Sequence, residues 1–80
     1  MYEIVNNLRM TQIEASERYP NSYIAMRLDS MFGEMGAVLF IGDNQSELLR
    51  LVLDLEDPTY CGVHEGMDLQ RSLGGVVAGA

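Results

Sequence analysis

Gln45-Ser46-Glu47-Leu48-Leu49-Arg50-Leu51-Val52-Leu53-Asp54-Leu55-Glu56 is the stretch on which the fold turns. From Leu49 onward, leucines alternate with Arg50, Val52, Asp54 and Glu56, the period-two pattern of a strand. Residue type argues the other way. The segment holds a single β-branched residue, Val52, and leucine favours helix over strand. Asp43 or Asn44 can cap its start, and Asn44 with Glu47 imitates the spacing of a capping box. A helix over 45–56 is therefore expected. At about 100° per residue, its six leucine and valine side chains spread over an arc of roughly 200°, against the ~100° stripe of a surface helix. Such a helix is expected to pack on two sides: a sheet on one, and the N-terminal helix or a second chain on the other.

Upstream, residues 22–29 alternate. Ile24, Met26 and Leu28 face one way; Tyr23, Ala25, Arg27 and Asp29 face the other, as in a half-buried strand. Two glycines in Met31-Phe32-Gly33-Glu34-Met35-Gly36 mark a hairpin loop, although Phe32 and two Met make it more apolar than a loop needs. Ala37-Val38-Leu39-Phe40-Ile41 is apolar on both faces, as in a strand covered on both sides. Thr11-Gln12-Ile13-Glu14 has capping-box spacing and predicts a helix from Gln12, ending near Arg18 because Pro20 disfavours a helical Tyr19. Residues 1–10 divide the signals. Ile4, Val5 and Leu8 share a helical face, but Asn6-Asn7 weakens it, leaving a helical turn or an extended arm.

Downstream, Asp57-Pro58 breaks the chain, and Thr59-Tyr60-Cys61-Gly62-Val63-His64 reads as a third strand weakened by Gly62. Asp68 heads a short turn through Leu73, closed by Gly74-Gly75. Val76-Val77-Ala78 reads as a fourth short strand or a frayed end. The expected product is one α+β domain over residues 1–80. It has a small mixed or antiparallel sheet of three to four strands, with one or two helices on one face, in α-β-β-α-β order. The third strand pairs antiparallel beside the first or parallel beside the second. The face with Tyr23 and Ala25 is expected to have little cover.

Composition removes several functions. Five Arg against twelve Asp and Glu give a net charge of −7, and the chain contains no Lys. A Schiff-base amine and a lysine-bearing phosphate loop are thereby excluded. One Cys forbids an internal disulfide and a Cys-rich zinc site. Five scattered Arg on an acidic chain argue against nucleic acid. No basic segment leads into an apolar one at the N-terminus, and no apolar run approaches the ~20 residues that span a bilayer, so a cytoplasmic protein without membrane contact is expected. The hydrophobic share of 48% is large for a small globule, which has proportionally more surface to cover with polar groups. Surplus apolar side chains must then show outside or meet a partner.

The candidate sites are few. Cys61-Gly62-Val63-His64 invites half a metal site or a Cys/His nucleophile pair, but residues three apart on a strand face opposite ways unless Gly62 marks a bulge. No second His or Cys completes a zinc site. Gly42-Asp43-Asn44 precedes a helix N-terminus, an anion-binding place in principle, yet Asp43 and Glu47 already put carboxylates there. Asp54, Glu56 and Asp57 crowd a helix end whose dipole prefers cations. That placement reads as a contact for a basic partner, a weak divalent-cation site or a solvated acidic end. The six Met read as core filling or as an adaptable binding surface. No nucleophile–base or carboxylate-pair pattern appears, so no enzymatic activity and no cofactor are expected.

The expected function is a non-enzymatic protein–protein interaction module, acting as a homodimer or a subunit by sheet packing or edge pairing. Its contact residues are Val38, Phe40, Leu49 and Leu53 with the acidic Asp54, Glu56 and Asp57. Two alternatives stand beside it. One is an acidic inhibitor or decoy on a basic protein surface; the other is a small-molecule or metal-binding accessory domain using Cys61 and His64.

Overall fold

A computed structural model of the chain describes residues 1–78. The elements are β1 (Tyr2–Thr11), α1 (Gln12–Arg18), β2 (Tyr23–Leu28), β3 (Met35–Gly42), α2 (Gln45–Leu53), β4 (Cys61–Glu65) and α3 (Met67–Ala78). The strands form one antiparallel sheet in the order β1-β3-β2-β4, with three helices packed around it. The fold is therefore α+β, and β4 takes the antiparallel place beside β2.

The disputed leucine stretch is helical. The Asn44 side chain accepts the Glu47 N–H at 3.2 Å, satisfying one of the donors a helix start leaves open. The helix stops at Leu53, with Asp54 as its C-cap, so Leu55 and Glu56 lie beyond it. α1 starts on the complete capping box: the Thr11 hydroxyl accepts the Glu14 N–H at 3.0 Å, and the Glu14 carboxylate accepts the Thr11 N–H at 3.4 Å. Of the two segments left open, Tyr2–Thr11 takes the extended alternative and is a full strand, because β3 offers it a ladder that no local pattern announces. α3 runs through Gly74-Gly75 to Ala78, where a turn, a strand or a frayed end was expected. Its start is held from outside the helix: the Pro20 carbonyl accepts the N–H groups of Asp68 and Leu69 at 2.9 and 3.2 Å. Gly66 permits that approach, since a Cβ there would lie 2.1 Å from the Tyr19 carbonyl oxygen.

The sheet is not regular, and its irregularity explains the unreadable patterns. Ala25 and Met26 are adjacent on β2, yet pair with Phe40 and Val38, so Leu39 is an extra residue, a β-bulge. On β1 the same level is crossed by Val5, Asn6 and Asn7, with Asn7 at φ 54°. Each strand reverses its side-chain phase there. Val38 and Ile41 pack on one face, while Phe40 packs on the other. A run that bulges in the middle looks apolar on both faces.

Helices cover both faces, rather than one. On the first face Met10, Ala15, Ile24, Met26 and Val38 form a sealed cluster under α1. α3 begins beside α1, and the two share a groove with His64 at its floor. On the second face Ala25, Leu48 and Val52 form a smaller cluster under α2, joined by half-buried Tyr23, Phe40, Leu51, Cys61 and Val63. The Tyr23 and Ala25 face thus has a cover in α2, contrary to expectation. α2 does not touch the N-terminal helix, because the sheet lies between them.

Candidate interaction surface

α2 sits off-centre. It packs on β2 and β4 and reaches β3, with Leu48 fully buried and Val52 at 5% exposure. These two residues, four apart, form the narrow stripe the sheet receives. Among the described residues no element lies over the β1 side of that face. Ile4 pairs directly with Phe40 in the ladder and is 74% exposed. Tyr2 meets the Phe40 ring edge-on, with centroids 6.0 Å apart. Between β1 and α2 runs a groove of about 410 Å³ bordered by Tyr2, Leu51, Glu47, Arg50 and Asp54. Its floor is continuous with an apolar strip of Tyr2, Ile4 and half-buried Phe40.

The charges at this groove follow from the helix start and its flank. The Met1 ammonium donates to Asp43 at 2.9 Å and lies 3.0 Å from Glu47. These bonds raise the affinity of the amine for its proton and hold the Asp43 carboxyl below its ordinary range. Arg50 and Asp54 stand further along α2, and Asp54 has no ion-pair partner among the described residues.

The sheet edges are a contrasting case. On β4 the Leu28 N–H to Tyr60 carbonyl and Gly66 N–H to Ser22 carbonyl bonds fix the phase, so Cys61, Val63 and Glu65 aim their backbone outward. The Cys61 N–H is already taken by the Pro58 carbonyl at 3.0 Å. The Glu65 carbonyl is taken by the Gln70 amide at 3.1 Å. The Cys61 carbonyl, both backbone groups of Val63 and the Glu65 N–H keep no such bond among the described residues, so this edge is blunted only at its two ends. On β1 the outer ladder is cut by the Val5–Asn7 irregularity, and the Thr11 N–H belongs to the capping box. Bulges and local bonds of this kind discourage a further strand.

The sequence-derived contact residues scatter. Val38 has no exposure and lies under α1, so it is core and not contact surface. Phe40 belongs to the open strip. Leu49 and Leu53 are 43% and 74% exposed, but helical spacing puts them on the flank opposite Leu51, away from the groove. Asp54 borders the groove and Glu56 is exposed beyond the helix. Asp57 is a turn residue. Its carboxylate accepts the Thr59 N–H at 3.1 Å and the Thr59 hydroxyl, which holds its pKa down, and its carbonyl accepts the Arg27 guanidinium at 2.8 Å. The acidic trio is therefore not one surface. Tyr2 and Ile4 were missed because their alternation lasts only three residues before Asn6-Asn7.

Cys61 and His64 point to opposite faces. Cys61 packs against the α2 cluster, while His64 pairs with Ile24 and faces α1. Burial pushes the His64 imidazole below its ordinary pKa, opposed by the Gln12 backbone carbonyl and the Glu65 charge. Among the described residues no cluster of three or more His, Cys, Asp or Glu is placed to hold a metal. None of their helices is long and apolar enough to cross a membrane. Comparison of the chain with protein-family models, with curated proteins and with solved structures gives no match.

Proposed function

We propose that this chain is a protein-binding module that works by burying the open half of its second sheet face. The reading is supported above all by the exposure of Ile4, a strand residue directly paired with Phe40, on a face that α2 covers only in part. Apolar area removed from water there contributes about 25 cal/mol per Å² before ordering costs are subtracted. The interrupted outer ladder of β1 favours docking on the face over strand addition at that edge.

A photo-crosslinking side chain placed at Ile4 tests the reading in the cells that make the protein. A discrete protein adduct is expected from position 4, and none from exposed Glu17 on the opposite side of the sheet. Equal yields from both positions would refute it. Self-association by the same strip is the second form of this reading. Two copies at −7 each repel at low salt, so in that form dimerisation strengthens as salt is added. Sedimentation across a salt series measures it.

A further inference from the structure

The two edges of the sheet differ. β1 is interrupted, whereas β4 keeps four outward backbone groups open: the Cys61 carbonyl, the Val63 N–H and carbonyl, and the Glu65 N–H. The groups beyond them are taken, the Cys61 N–H by Pro58 and the Glu65 carbonyl by Gln70. An unrelated strand laid along β4 would meet closed groups at both ends and leave its own backbone unpaired there. A second copy of β4 would not. Turned antiparallel about a two-fold axis at Val63, it sets Val63 against Val63 for two bonds. It also sets each Cys61 against Glu65 of the other copy. There one carbonyl and one N–H are open to each other, and their companions are already bonded within their own chains.

The side chains agree with that register. Gly62 comes opposite the other copy's His64, and nothing stands within 4 Å of a Cβ position at Gly62. Arg27, which pairs with Cys61 on β2, shares a row and a face with the other copy's Glu65, and neither has an ion pair among the described residues. At physiological salt the Debye length is about 8 Å, so the distant like charges of two acidic chains are screened more than this pair. Above the edge, Leu49 and Leu53 are 43% and 74% exposed on the flank of α2 away from the β1 groove, and so toward β4. A helix over β2 and β4 lies roughly 5–7 Å from an axis just outside β4, so two copies of α2 lie roughly 10–14 Å apart, within reach of their leucines.

We infer that the chain pairs with a second copy through β4, joining two four-stranded sheets into one while the Leu49 and Leu53 flanks close over the junction. This contact lies at the opposite edge of the sheet from the Ile4 strip and does not depend on it. The five residues of β4 run about 17 Å, and sheet with helix stand roughly 20 Å tall, so each copy contributes on the order of 300 Å². A standard interface contributes ~800 Å² a side, so the dimer is reversible, and it adds nothing to the fold of the dilute monomer.

Sedimentation across a concentration series at physiological salt is expected to show a monomer–dimer equilibrium. Amide exchange by NMR on the same samples locates the contact: the Val63 and Glu65 N–H groups slow in step with the dimer fraction, while the Cys61 N–H does not change. Leu49→Gln combined with Leu53→Gln is expected to weaken dimerisation about tenfold. Glu65→Cys faces the other copy's Cys61 at a Cα separation of about 5.5 Å, so oxidation is expected to give a disulfide-linked dimer that Cys61→Ser removes. Ile4→Thr is expected to leave the dimer intact. A monomer at every concentration, or a dimer in which Val63 exchange is unchanged, overturns the inference. A dimer that Ile4→Thr dissociates and the leucine variant does not would move self-association to the Ile4 strip and overturn it too. A monomer that still crosslinks from position 4 sinks the β4 contact alone and leaves the docking reading standing.

Discussion

Two isoleucines four residues and twenty-four residues into the chain define its two faces. Ile24 has no exposure and lies among Met10, Met26 and Val38 beneath α1. Ile4 sits on the edge strand β1, across β3 from Ile24 and on the opposite face, and is 74% exposed. Both are strand residues opposite β3, at Ile41 and Phe40. What separates them is the position of a helix: α1 closes its side of the sheet, while α2, drawn toward β4, leaves β1 open. The lesson concerns association. Exposed apolar surface arises here both from the far flank of α2, at Leu49 and Leu53, and from a helix too far to one side to cover Ile4.

That contrast can be broken by matched substitutions. Ile24→Ala is expected to destabilise by about 2–5 kcal/mol, the range for a fully buried side chain, while Ile4→Ala stays within about 0.5 kcal/mol. Urea unfolding midpoints at constant slope measure both. Equal costs would mean that Ile4 is covered. The same test applied to α2 sharpens the picture. Leu48→Ala is expected to cost about 2–5 kcal/mol and Leu53→Ala at most about 0.5 kcal/mol in the isolated protein. A large Leu53 effect would restore a second packing side for the helix.

The smallest effect is the dependence on pH at the floor of the α1–α3 groove. The folded pKa of His64 lies below its unfolded value of 6.5, so the unfolded chain binds the proton more readily. Its share of stability is intact above that value and falls as pH drops from 6.5 toward the lowered folded pKa. Thermal melts should show a decline over that window that His64→Gln removes. An identical decline in the variant would assign the acid sensitivity to carboxylates instead.

Legibility in the sequence followed the range of the interactions. The Thr11–Glu14 box and the Asn44 cap act over three residues, and both helix starts are where those residues put them. The hairpin of β2 and β3 was legible because β2 alternates without a break. β1 was not, since its phase reverses at Asn7, where it follows a bulge on β3. Of α3 only the turn from Asp68 through Leu73 was legible; its run past Gly74-Gly75 was not, since paired glycines read locally as a helix end. At the candidate site, Phe40 was legible from its apolar run. Tyr2 and Ile4 were not, and Val38 was assigned to the surface because the bulge that turns it inward leaves no mark on composition.

The sequence by itself determined an acidic, lysine-free α+β chain whose leucine segment is a helix, because charge, residue type and capping are local properties. Only the tertiary structure decided which side chains that helix conceals. Burial depends on where α2 lands across the strands, and that is set by Leu48 and Val52 meeting Ala25 and Val63 from distant parts of the chain. The uncovered strip at Ile4 is the remainder of that placement, and no window of neighbouring residues contains it.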